Sequence, residues 1–443
     1  MTDFSEQMRR LMAAAGVSLG ELARRTHYTK SYLSKVMNGH RPAPRELAAR
    51  LDAALEAGGQ LAALVPAGNA RDVPGLRSNG WAGQDTAALA ALITEGAIRV
   101  DADNAVRIAH QWLVTDPPQL AEMRSGRRVG AGLVAKVEAR VAELRRLDDY
   151  VGGGDLAETV ERELAATVTL LAEAAYSETL GRRLLVAVGE LAQIAGWVLS
   201  DAGMHEAAAA RYLAGVRAAH AAGHAPLAAN LLSSLSYQMA NAGQPREAVL
   251  LARSAYRGAE RVATPRTRAL LLDRVAWAHT RAGDASEAER ALDGADDEYA
   301  HVRPGDDDPD WVYWVDRDEL DVLAGRCLTE LRRPLKAEPL LRSVLARYDE
   351  SRARETSLYL TWLAEGYLHA NEIEQASVAA AHALDLSATV NSARVRSRVA
   401  TVRQHMQPYQ GSPTVREFDE RLRSLETALA APQGHNQPLW PHR

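Results

Sequence analysis

A single cysteine, Cys327, in 443 residues excludes an internal disulfide framework and any cysteine-rich zinc site. Its apolar helical context makes it a small core residue. No apolar run approaches the roughly 20 residues that cross a bilayer, and no signal peptide opens the sequence. A soluble, cytoplasmic protein without a membrane partner is therefore expected. The 13 histidines show neither H-E-x-x-H nor a paired spacing, and no nucleophile elbow or Cys/His arrangement stands out. No metal, no cofactor and no catalytic residues are expected, so the chain does not read as an enzyme. Gly152-Gly153-Gly154 is not followed by Gly-Lys-Ser/Thr, so it is a helix break rather than a phosphate loop, with Asp155 capping the next helix. Alternating β-branched residues are scarce while Ala, Leu and Arg abound, which makes the fold class all-α.

What is present begins at residues 18–41, SLGELARRTHYTKSYLSKVMNGHR. They read as two short amphipathic helices joined by a tight polar turn. Ser18 caps the first helix, and Glu21 three residues later completes a capping box. Thr29 caps the second, whose buried stripe is Leu33 and Val36; Asn38-Gly39 closes it with an αL-tolerant pair. Lys30, Ser31, Tyr32, Ser34 and Lys35 are left facing outward, where a helix N-terminus meets base edges. A helix over Phe4 to Ala15 precedes this pair and one over Arg45 to Glu56 follows. Residues 1–65 hold nine Lys/Arg and six Asp/Glu, a net +3, while the whole chain is −5. A basic head on an acidic body suits phosphate contact at one end.

This pattern resembles the helix-turn-helix of the Cro/phage-repressor-like (XRE) class over residues 5–57. The resemblance implies that Lys30, Ser31, Tyr32 and Lys35 read bases or adjoining phosphates of double-stranded DNA. It implies backbone contacts from Ser34, Asn38, His40 and Arg41. Leu19 departs from the family, standing where many members place glutamine, and so does His27, standing where the turn usually has glycine.

A second signal is an internal repeat. Gly203, Gly243 and Gly283 lie 40 residues apart, each followed five residues later by alanine: Ala208, Ala248, Ala288. Ala337 and Ala376 continue the series after an acidic insertion. Twelve residues before each alanine stands a small residue: Gly196, Ser236, Ala276, Gly325, Ala364. Small residues at both places let the two helices of a hairpin touch closely, so the periodicity predicts stacked helical hairpins. The insertion, with Asp306, Asp307, Asp308 and Asp310, lacks calcium-loop spacing and is expected to be an inter-repeat loop.

The repeats resemble tetratricopeptide repeats over roughly residues 184–390, with a step nearer 40 than 34 and no closing proline. The expected organisation is a head at 1–65, a linker at 66–85, a helical connecting region at 86–183, an α-solenoid at 184–430 and a disordered tail at 431–443. One residue past the small position come Trp197, Tyr237 and Trp277. Four further on are Asp201, Asn241 and Arg281; four before are Gln193, Ser233 and Asp273. These either line a concave groove for an extended peptide or a flat small molecule, or fill the core between repeats. Arg326 and Glu365 take the aromatic position in the last two repeats, where a charged residue favours a solvent-lined groove.

As a whole, the chain resembles bacterial regulators that join an XRE-type head to a tetratricopeptide sensor. That resemblance implies a homodimer on an inverted-repeat operator, with the repeats dimerising and binding a signal peptide or small-molecule effector. The alternative is a protein-binding scaffold with a non-specific or vestigial head.

Overall fold

The computed structural model describes residues 3–26, 28, 30–39, 43, 45–65, 76, 81, 83–94, 101–120, 126–148, 153–349, 352–387 and 393–430. The fold is all-α, an N-terminal helix-turn-helix followed by an α-solenoid, and its contacts divide at residue 316 into two units. The first unit runs α1 (Asp3–Ala15), α2 (Leu19–Thr26), α3 (Lys30–Met37), α4 (Arg45–Ala54), α5 (Gln60–Leu64), α6 (Gly83–Thr94) and α7 (Ala102–Val114). It continues through α8 (Ala131–Leu147), α9 (Gly153–Glu173), α10 (Glu178–Asp201), α11 (His205–Ala221), α12 (Ala225–Asn241), α13 (Pro245–Ala259), α14 (Pro265–Arg281) and α15 (Ala285–Tyr299). The second unit holds α16 (Arg317–Glu330), α17 (Pro334–Leu345), α18 (Ala353–His369), α19 (Ile373–Ser387), α20 (Ala393–Met406) and α21 (Pro413–Ala430). The sheet among the described residues is one parallel pair, β1 (Arg127–Arg128) on β2 (Ala174–Ala175).

From α10 to α15 in the first unit and from α16 to α19 in the second, consecutive helices pack as hairpins. The paired small positions are where they touch. Gly196, Ser236, Ala276, Gly325 and Ala364 are buried, and so are the five alanines twelve residues on. Gly196 lies under the Tyr212 ring, which a Cβ there would meet at 2.5 Å. Ser236 Oγ donates to the carbonyl of Ala248, its partner in the repeat, at 2.8 Å. The turns share one device. Gly203, Gly243 and Gly283 take φ near +80°, reversing the chain after α10, α12 and α14. In the second unit the equivalent places are Arg332 and Asn371, at φ 56° and 62°. The left-handed turn thus persists where glycine does not, at a cost to Arg332 of roughly 1–2 kcal/mol.

Several boundaries differ from the sequence reading. α6 begins at Gly83, inside the stretch assigned to the linker; most of 66–82 and the tail 431–443 lie outside the described residues. α9 starts at Gly153, so Asp155 sits inside the helix rather than capping it. Residues 86–183 do more than connect. α6 packs on α9 and α11, and α7 packs on α13, where Trp112 lies over Gly258. Arg211 of α11, 7% exposed, forks onto Glu161 of α9 with two 2.7 Å bonds and donates to the Leu92 carbonyl. By length and composition α10 could cross a membrane, but 67% of its most apolar stretch is buried inside the fold.

The acidic insertion is an ion-paired strap. Asp308 takes Arg266 at 2.7 Å, and Asp310 takes Arg146 at 2.6 Å and Arg145 as well. Hydrogen bonding from Arg146, then the charges of Arg145 and Arg146, holds the Asp310 carboxyl below its ordinary value. A carboxylate lowered by folding stabilises the fold above its unfolded value, near 4, and that contribution is lost as pH falls through the folded value. Urea unfolding followed from pH 6 to pH 3 (roughly, spanning the carboxylate range) is expected to lose less stability in Asp310→Asn than in the parent chain.

Candidate nucleic-acid interface and repeat groove

The head buries one cluster: Phe4, Met8, Leu22, Tyr28, Leu33, Val36, Leu47, Ala48, Leu51, Leu55, Ala57 and Leu61. Local chemistry sets its helix ends. The Ser18 hydroxyl accepts the Glu21 amide at 3.1 Å, so the cap forms. The Glu21 carboxylate does not close the box; Arg24 and Arg25 hold it, and hydrogen bonding from Arg25 foremost lowers its pKa. Gly39 at φ +73° ends α3. Asp52, 6% exposed, accepts the amides of Leu61 and Ala62 at 2.9 and 2.8 Å and so caps α5.

On α3, Lys30 and Lys35 are exposed and Ser34 is half-buried. Tyr32 is only half outward. It packs on the head cluster and its ring lies 5.3 Å from that of Tyr28, because one face of the phenol completes the core. Asn38 accepts Arg9 at 3.2 Å and donates to Ser34 at 3.4 Å, while Arg9 also holds the Met37 carbonyl at 2.8 Å. His27, Thr29, His40 and Arg41 lie outside the described residues, as does the side chain of Ser31.

Arg50, Met204 and Glu158, which sequence reasoning passed over, join this head to the body of the same unit. Arg50 of α4 donates to the Gly203 carbonyl at the α10–α11 turn, and Met204 packs against the head cluster. Lys35 reaches Glu158 of α9 at 3.1 Å. A residue expected to meet DNA thus faces a carboxylate on the body. No sequence signal marked that pairing, since 123 positions separate the partners.

In the repeats of the first unit, Trp197, Tyr237 and Trp277 stack in order, with ring centroids 6.0 Å apart at each step. Trp197 and Tyr237 are half-buried, whereas Trp277 is 3% exposed and gives its indole N–H to Asn241 at 3.2 Å. Arg274 lies over Tyr237 at 4.8 Å and over Trp314 at 5.8 Å, and Arg281 lies 6.0 Å over Trp277. Gln193 and Asp201 are half-buried; Asn241 and Arg281 are exposed; Ser233 and Asp273 are buried. The stack therefore fills the core at Trp277 and meets solvent along the edge formed by Trp197, Tyr237, Asn241 and Arg281.

The second unit departs from expectation. Arg326 and Glu365, read as groove-lining charges, are 8% and 4% exposed. Burial is tolerated because Arg326 lies 5.4 Å over the Trp362 ring and Glu365 holds Arg398, itself 3.5 Å over that ring.

With this geometry in place, residues 3–65 match a protein family described as a helix-turn-helix domain. The match covers the head and leaves the repeats outside it. No curated protein matches the chain. The head is a helix-turn-helix DNA-binding domain, with α2 and α3 as the paired helices.

Proposed function

We propose that this chain is a sequence-specific transcription regulator of the XRE kind, acting in the cytoplasm as a homodimer on an inverted-repeat operator. Its repeats, similar to tetratricopeptide repeats, dimerise and bind a peptide or small-molecule effector; it carries no enzymatic activity. The observation that supports this best is the outward face of α3, where Lys30 and Lys35 stand exposed on a helix-turn-helix head. A helix so presented enters the major groove, and a two-fold dimer spaces its half-sites about one helical turn apart. The solvent-facing edge of the aromatic stack, at Trp197, Tyr237, Asn241 and Arg281, is where the effector binds. Trp277 and Asp273 support that edge from within.

Selection of bound duplexes from a random-sequence pool, then gel-shift titration across salt, tests this reading. A palindromic consensus bound far more tightly than random duplex supports it. Sequence-blind affinity, or none, refutes it and leaves the scaffold alternative.

The Lys35–Glu158 pair supports a link between head and body. The two side chains are 46% and 66% exposed, so the pair restrains α3 only weakly. Glu158→Ala is expected to raise operator affinity by about 1.5- to 5-fold, the equivalent of an exposed pair worth roughly 0.2–1 kcal/mol. Equal affinity of variant and parent at low salt refutes the link.

A further inference from the structure

Where α18 packs against α20, the second unit brings together one carboxylate and two imidazoles. Glu365 and His369 lie four residues apart on one face of α18, and His405 comes from the last turn of α20. Their ligand atoms all fall within 4.8 Å of one another. Glu365 Oε1 is 3.5 Å from His405 Nδ1 and 3.9 Å from His369 Nε2. Donors around a tetrahedral zinc ion stand roughly 3.4 Å apart, from bond lengths near 2.1 Å. One edge of the triangle already has that spacing, and the others need only side-chain adjustment.

Hydrogen bonding outside the triangle sets the orientation of two of its members. His369 Nδ1 lies 3.1 Å from the Thr329 carbonyl. A carbonyl can only accept, so Nδ1 carries the proton and Nε2 turns a lone pair toward Glu365. Arg398 holds the far oxygen, Oε2, of Glu365 and leaves Oε1 to the imidazoles. A carbonyl on the ligand histidine and a charge-assisted partner on the ligand carboxylate are the usual outer supports of a metal site. His405 Nδ1 is buried and makes no hydrogen bond. Two acceptors, Nε2 of His369 and Oε1 of Glu365, therefore face each other with an unbonded ring nitrogen beside them. A cation placed between them satisfies all three.

We propose that Glu365, His369 and His405 bind a divalent late first-row metal ion of the zinc class, with a fourth position open on the His405 side. Imidazole and carboxylate donors suit that class, and three protein ligands leave room for water or an anionic ligand. The His405 side chain is 38% exposed, which gives the ion a route in. This site stands apart from the DNA-binding reading and is tested separately.

The full-length chain, untagged and stripped of metal with a chelator, is titrated with zinc by calorimetry and with cobalt by visible absorption. One zinc per chain is expected, with a cobalt d–d spectrum of low coordination number. Zinc should also raise the thermal unfolding temperature of the parent chain. His405→Gln removes a half-exposed ring that makes no hydrogen bond from Nδ1, so the fold is kept. It and His369→Gln are each expected to weaken zinc at least about 100-fold, more than loss of an outer partner costs. Binding should weaken as pH falls, because protons and the metal compete for the same ligand atoms. Absence of zinc binding, absence of a thermal shift in the parent chain, or unchanged zinc affinity in folded His405→Gln overturns the proposal.

Discussion

Lys30→Ala combined with Lys35→Ala is expected to lower operator affinity by at least about 30-fold at roughly physiological salt, with the head still folded. The two side chains are exposed on α3, and neither belongs to the buried cluster of the head. Each good base contact contributes about 1–3 kcal/mol of discrimination, so losing two removes roughly 2–6 kcal/mol. The salt dependence separates base reading from phosphate contact. If both lysines meet phosphates, the slope of log affinity on log salt falls by about 2 and specificity survives; if they read bases, specificity collapses. Tyr32 is left in place because half of its ring closes the core against Tyr28. Circular dichroism of the variant should match the parent. Operator affinity and salt slope both unchanged by the double change would mean that α3 is not the reading helix.

Tyr212→Ala carries the largest expected effect on stability, roughly 3–5 kcal/mol by comparison with other buried aromatic truncations. Tyr212 is 1% exposed, and its ring rests on Gly196 in the facing helix of the hairpin. Truncation empties the volume that the glycine was selected to admit, and α10 and α11 cannot close over it without moving the hairpin. The reverse change probes the same contact. In Gly196→Val a Cβ at 2.5 Å from the ring forces the helices apart, at about 1–3 kcal/mol. Chemical denaturation of both variants checks these values. A loss below about 1 kcal/mol for Tyr212→Ala would show that the small-residue positions are not the contact that sets the hairpin.

Much of this architecture was legible because it rests on local or strictly periodic chemistry. Ser18 caps α2, Gly39 ends α3, and the hydrophobic stripe Leu33–Val36 points into the head, as their residue types require. The repeat emerged from small residues alone, since close helix packing admits few side chains. The same logic failed at the turns of the second unit. Arg332 and Asn371 hold the left-handed conformation that Gly203, Gly243 and Gly283 announce, but an arginine carries no such signal. It also failed for charge. Arg326 and Glu365 looked like groove residues because buried charge is costly, and their partners Trp362 and Arg398 could not be assigned from spacing.

The metal triangle illustrates the limit most sharply. Glu365 and His369 have the one-turn spacing of a ligand pair, yet that spacing is common on any helix, and His405 lies 36 residues further on. The pairing of Lys35 with Glu158 and of Arg50 with the Gly203 carbonyl spans still longer separations. By itself, the sequence determined the helix class, the helix-turn-helix head and the repeat, because backbone capping, amphipathic period and close packing act over a few residues. Only the tertiary structure decided which charges are buried in pairs, where the aromatic stack meets solvent, and that a carboxylate and two imidazoles converge. Those outcomes depend on which helix faces pack together, and that is settled by contacts between segments distant in the chain.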